Sequence, residues 1–180
     1  GQRFIRLLEN HPMFEVCALA ASARSAGTTY EQAVEGRWKF SCDIPEYAKN
    51  MIVYDAAEVE KVASMVDFVF CAVDMKKDEI KALEEAYAKA EVVVVSNNSA
   101  NRWTEDVPMM IPEINDSHTE VIEYQKKRLG TKKGFIAVKP NCSIQSYVPL
   151  ITPLLKFRPK TVVATTYQAI SGAGKTFEQW

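Results

Sequence analysis

Lys77–Asn98, KDEIKALEEAYAKAEVVVVSNN, is the stretch that decides the fold. Its first part places Ile80, Leu83, Tyr87 and Ala90 on one face at helical spacing, with charged residues opposite, and so predicts an amphipathic helix from about Lys77 to Ala90. The Val-rich run that follows, 91–96, has the length and β-branching of a sheet strand. Working outward, similar runs at 15–20, 67–73, 134–139 and 161–170 alternate with helix-period segments. Such alternation implies a parallel sheet flanked by helices. A second helix is expected over Ser117–Leu129, with Ser117 and Glu120 as a capping box and Gly130 at the C′ position. A third, Gly1–Asn10, carries Phe4, Ile5, Leu7 and Leu8 and opens the chain where a βαβ unit would first have a strand. The expectation is a fragment whose sheet lacks its first strand.

The 180 residues are 47% hydrophobic and 25% charged, with a formal net charge of −1. That balance is globular and offers no basic face for nucleic acid. The apolar runs are strand-sized, so no membrane span is expected. Residues Gly1–Leu8 show no basic leader ahead of an apolar block, which makes a cytoplasmic location the default. Cys17, Cys42, Cys71 and Cys142 form no C-x-x-C pair, and His11 and His118 are the only histidines, so neither a metal site nor a disulfide framework is signalled. Cys17 and Cys71 sit in apolar runs where a thiol acts as a small core hydrophobe, and Cys42 lies in a polar stretch.

Two places carry chemistry. The second strand ends Ala20-Ala21-Ser22-Ala23-Arg24-Ser25-Ala26-Gly27. In a doubly wound nucleotide-binding sheet this position meets the adenosine ribose: a carboxylate there favours NAD, and an Arg accommodates a 2′-phosphate. Here there is no acid, but two hydroxyls and a guanidinium suited to a phosphate dianion, so NADP is the expected cofactor. The second place is Pro140-Asn141-Cys142-Ser143, where a strand ends and the segment Ser143–Leu155 begins. Amides at a helix N-terminus favour an anion, which suits a nucleophilic thiolate at Cys142, although Pro149 and Pro153 interrupt the helical pattern. The string Gly172-Ala173-Gly174-Lys175-Thr176 suggests a phosphate loop of the nucleotide triphosphatase kind, but that pattern needs glycine where Ala169 stands.

Three further strings complete the pattern: Ser96-Asn97-Asn98-Ser99-Ala100-Asn101-Arg102, Pro112-Glu113-Ile114-Asn115, and Thr165 through Thr176. With them the chain resembles the aspartate-semialdehyde dehydrogenase family, in its archaeal and fungal-like branch, over nearly all 180 residues. The resemblance implies a Rossmann-like NADP-binding domain over 1–142 and the start of an α+β catalytic and dimerisation domain over 143–180. It makes Gly1 the last glycine of the dinucleotide fingerprint and matches Ser22, Arg24 and Ser25 to the NADP-phosphate turn. Ala72, Asn97, Ser171, Gly172 and Gly174 would also line the cofactor. Cys142 becomes the nucleophile, with Asn141 beside the substrate carbonyl and Gln168 orienting the acyl group. Arg102 and Lys175 would hold substrate or inorganic phosphate. The implied substrate is aspartyl phosphate, and the implied full-length assembly is a homodimer or homotetramer. The family's general-base His and carboxylate-binding Arg lie farther along than this chain reaches; His11 and His118 do not match that base and are expected to be exposed. A sister acyl reductase such as malonyl-CoA reductase shares the architecture.

Overall fold

The computed structural model describes residues 1–169 and divides the chain into two compact units, Gly1–Pro140 and Asn141–Trp180. In the first unit the order is α1 (Gln2–Leu7), β1 (Leu19–Ala21), α2 (Tyr30–Val34), α3 (Glu46–Lys49), β2 (Val53–Asp55), α4 (Val59–Ala63), β3 (Phe68–Cys71), α5 (Lys77–Lys89), β4 (Val93–Ser96), α6 (Pro112–Asn115), α7 (Ile122–Leu129) and β5 (Ile136–Val138). The second unit opens with α8 (Cys142–Ile151), followed by a 3₁₀ segment, Thr152–Phe157.

Among the described residues every paired strand is parallel. β3, β4 and β5 form one sheet in that order, with Val94 opposite both Val69 and Ile136, while β1 and β2 form a second, with Ala20 opposite Tyr54. Parallel neighbours require crossovers, and α5 supplies the one between β3 and β4. Each sheet has its own core. Val62, Tyr87, Ala88, Val94, Leu129 and Ile136 pack against the larger, and Ile5, Tyr30, Val34, Ala48 and Val53 against the smaller. Burying one such aliphatic side chain contributes about 1.5–3 kcal/mol. The outer edge of β5 is not left bare. The Gln125 side chain acts as a surrogate strand there, accepting from the Ile136 N–H at 2.6 Å and donating to the Ile136 carbonyl at 3.0 Å, and the Val138 N–H donates to Pro108 at 2.9 Å.

A cleft of about 490 Å³ lies between the two sheets, lined by Leu19 and Ala20 of β1, by Phe68–Cys71 of β3, and by Gly1 and Phe4. Phe4 stacks on Phe70 at 4.6 Å across it. The two sheets share no strand pairing across the cleft among the described residues.

Several elements differ from the sequence expectation. The 15–20 strand is shorter and begins at Leu19, so Cys17 is exposed rather than packed in a core. No strand occupies 161–169, where every residue is exposed and no neighbouring strand offers backbone partners. The 117–129 helix starts later: Asp116–Val121 is 3₁₀, and the Ser117 N–H bonds the Asp116 carboxylate instead of entering a capping box. Gly130, at φ 74°, ends α7 as expected. His11 and His118 are half-buried, and His118 Nδ1 lies 3.2 Å from the Met109 carbonyl.

The corner between α5 and β4 is tied to the corner before β5 by one side chain. Glu91, at φ 63°, accepts N–H bonds from Lys132, Lys133 and Gly134 at 2.6–3.0 Å. These bonds, led by that from Gly134, hold the Glu91 carboxyl below the usual carboxylate range. Because the folded state has the lower value, the contribution is complete above the ordinary carboxylate range and is lost as pH falls through the folded-state value. Glu91→Gln should therefore lower the melting temperature at neutral pH, and the gap from the parent should close below about pH 4. Thermal melts across that range decide it; a gap unchanged by pH would assign the effect to shape rather than charge.

Candidate active site

Of the residues expected at the cofactor, Ser22, Ala72 and Asn97 each directly follow the carboxyl end of a parallel strand. β1 ends at Ala21, and the chain turns through Ser22 into a 3₁₀ turn, Ala23–Ser25, closed by the Ser25 N–H on the Ser22 carbonyl at 2.9 Å. Gly27 then takes φ 81°, and its N–H reaches the Val53 carbonyl at 2.8 Å, folding the turn back onto the sheet. Positive φ is what glycine supplies at no steric cost. A cavity of about 320 Å³ is lined by Gly1, Gln2, Ser22, Ser25 and Arg37, with apolar walls from Ile5, Val34 and Val53. Arg24 is exposed on the turn and does not line that cavity. Arg37 lies outside the Ser22–Gly27 turn, so strand-end chemistry does not point to it. Its guanidinium also donates to the Ala33 carbonyl.

Ala72 follows the end of β3 and lines the larger cleft together with Gly1. Asn97 follows β4, and its N–H bonds the Cys71 carbonyl at 2.8 Å, which sets Asn97 beside the end of β3. Arg102 is half-buried and donates Nε to the Lys139 carbonyl at 3.1 Å. The Lys139 N–H in turn donates to the Ser96 carbonyl at 3.0 Å.

In the second unit Asn141 caps α8, its Oδ1 accepting the Ser143 N–H at 2.9 Å. Cys142 is thus the first helical residue, and its thiol is exposed. Pro149 sits inside α8 without ending it, and the helix runs on to Ile151. Gln168 is brought to the thiol from far along the chain: Cys142 Sγ lies 3.7 Å from Gln168 Oε1. The Gln168 amide is held by Nε2 donating to Ser143 Oγ at 2.5 Å and to Thr166 Oγ1 at 3.1 Å. A thiol at a capped helix start with an oriented amide beside it can attack an acyl carbon and position the carbonyl it has attacked. Cys71 has the opposite environment: burial first, then the nearby Glu84, pushes its thiol up to about 12. Ser171, Gly172, Gly174 and Lys175 lie outside the described residues.

Parallel strands with a polar turn at the β1 end and helical crossovers define an α/β protein, and the same chain carries a cysteine at a helix start. Residues 1–122 match the family model "Semialdehyde dehydrogenase, NAD binding domain". The chain is similar to the aspartate-semialdehyde dehydrogenase of Cryptococcus neoformans, with 41% identity over 97% of this chain and 47% of that protein. It is also similar to that of Archaeoglobus fulgidus, with 40% identity over 97% of this chain and 48% of that protein. Among solved structures, the Candida albicans aspartate-semialdehyde dehydrogenase with NADP superposes with a TM-score of 0.74 and 37% identity, covering 87% of this chain and 44% of that one. The chain belongs to the semialdehyde dehydrogenase family, and it spans about half the length of the curated relatives it matches.

Proposed function

We propose that this chain is the nucleotide-binding and thiol-bearing part of an NADP-dependent aspartate-semialdehyde dehydrogenase, which reduces aspartyl phosphate to the semialdehyde through a thioester on Cys142. The observation that carries the reading is the pairing of Cys142 with Gln168 at the start of α8. The Cys142 thiolate attacks the acyl carbon of aspartyl phosphate, the carbon–sulfur bond forms, and inorganic phosphate leaves with the electrons of the broken acyl–oxygen bond. The Cys142 N–H and the Asn141 amide would donate to the developing oxyanion; one such donor is worth about 3 kcal/mol. Gln168 orients the acyl carbonyl. Arg102, with its Nε already engaged, has its terminal nitrogens to offer the phosphate. When bound, NADPH would supply the hydride for reduction of the acyl carbon, and the Cys142 thiolate leaves with the electrons of the carbon–sulfur bond as the aldehyde forms. Single-turnover trapping of an acylated Cys142 with aspartyl phosphate in the absence of NADPH, read by mass spectrometry, tests the reading; acylation elsewhere would overturn it.

The residues fit NADP. The cavity holding Gly1, Ser22 and Ser25 has no carboxylate among its described lining residues, and Arg37 adds positive charge. The turn amides and hydroxyls would hold the 2′-phosphate, with Arg24 folding over it from the exposed side. Losing one charge-assisted contact costs about 1.5–3 kcal/mol. Arg24→Ala should therefore weaken NADPH binding by about tenfold or more and leave NADH nearly unchanged, by fluorescence titration. Equal losses for both would remove Arg24 from the phosphate. The full-length protein is expected to form a homodimer or homotetramer, measurable by sedimentation.

A further inference from the structure

The buried face of α5 carries a carboxylate that the reaction above does not use. Ile80, Glu84, Tyr87 and Ala88 are its buried residues, and Glu84 is only 1% exposed. A buried carboxylate requires converging donors. Three amide and hydroxyl donors arrive from one short segment, Ser96 Oγ at 2.5 Å and Asn98 Nδ2 at 3.5 Å on one oxygen and Asn101 Nδ2 at 2.7 Å on the other, while the Cys71 thiol of β3 also bonds the carboxylate and takes Asn98 Nδ2 at 3.3 Å. The segment is cross-braced, since the Asn98 N–H donates to Ser96 Oγ at 3.0 Å and Thr104 Oγ1 to Asn101 Oδ1 at 3.0 Å. Arg102 comes directly after Asn101, and its guanidinium is aimed by the Lys139 carbonyl, whose residue is itself bonded to Ser96. A carboxylate in the core therefore sets the path of the backbone that carries Arg102. Only an acceptor-only group satisfies three donors at once; a glutamine would set its own NH₂ against one of them.

We propose that Glu84 is a positioning residue: its carboxylate shapes the Ser96–Arg102 loop so that Arg102 meets the anionic group of the substrate without first having to be ordered. The proposal rests on the reading of Arg102 as the phosphate-holding residue. Asn97 is anchored separately, through its N–H on Cys71, so the cofactor side of the loop is less dependent on Glu84 than the Arg102 side.

The test is made in the full-length enzyme, running the reaction in the direction that consumes inorganic phosphate. Glu84→Gln should raise KM for phosphate by about tenfold, change NADP affinity by less than about threefold, and speed hydrogen exchange at the Asn98 and Arg102 amides. The double variant Glu84→Gln with Asn101→Asp swaps donor for acceptor across the same contact and should restore both the phosphate KM and the protection. Glu85→Gln, one residue along the same helix, is the control: it breaks only the ion pair with Arg128 of α7 and should lower the melting temperature without moving KM. A Glu84→Gln enzyme that melts earlier but keeps its phosphate KM and its amide protection overturns the proposal, as does a double variant no better than the single. Arg102→Ala with an unchanged phosphate KM would overturn the reading of Arg102; hydrogen exchange then still decides whether Glu84 holds the loop.

Discussion

Cys142→Ser in the full-length enzyme is expected to lose at least about a thousandfold in kcat while binding NADPH within a few-fold of the parent. A hydroxyl is a far poorer nucleophile than a thiolate near neutral pH, whereas the cavity proposed for the cofactor is lined by Gly1, Ser22 and Ser25 and not by residue 142. A limiting alkylator should label Cys142 ahead of Cys17 and Cys42, all three of which are exposed, because only Cys142 has a helix start and a bonded amide beside its sulfur. Cys71 should not compete, since at neutral pH its buried thiol stays protonated. Aspartyl phosphate should protect Cys142. Stopped-flow turnover, titration of NADPH and peptide mapping of the label supply the three readouts; substantial turnover by the serine variant, or earlier labelling of Cys42, would refute the thioester.

Gly134→Ala is expected to be the most destabilising single methyl in the described chain. A Cβ at Gly134 would stand 1.9 Å from the Ala88 carbonyl oxygen, 2.8 Å from its carbon and 2.9 Å from the Glu91 Cα, all of them backbone atoms at the end of α5. Backbone cannot swing aside as a side chain can, so either α5 or β5 must move, and both pack on the same core. The cost should be about 3 kcal/mol or more, read from urea denaturation of parent and variant. A loss under about 1 kcal/mol would mean that the corner yields more readily than its contacts imply.

What could be read in advance followed from where local pattern and tertiary demand agree. The α5–β4 unit was legible because a long amphipathic period and a Val-rich run each satisfy their own local preference and the same burial. β2 was not, since three residues ending in Asp55 carry no periodicity; it exists because β1 provides a parallel partner. The reverse holds for 161–169, where Val162 and Val163 have strand propensity and no partner. Cys17 is exposed for the same reason: its apolar run reads as a buried strand, but pairing begins only at Leu19. At the site, Ser22 and Ser25 are singled out by strand-end chemistry, and both line one cavity with Gly1. Gln168 came from family resemblance, because no local rule joins residues so far apart. Glu84 could have been found: it falls between Ile80 and Tyr87 on the face that the helical period assigns to the core, where an acid signals a hidden set of donors.

The Glu91 tie also has a meaning in time. Its bonds join residues 41 to 43 apart in sequence, whereas β3, α5 and β4 are consecutive and meet through short connections. Contacts that close longer stretches of chain carry the larger entropic cost before they are rewarded, which places the arrival of β5 and the capture of its leading amides after the folding barrier. Weakening that corner should then leave the refolding rate nearly untouched and quicken unfolding. In a chain built this way, the lifetime of the native state is held at the seam that closes last.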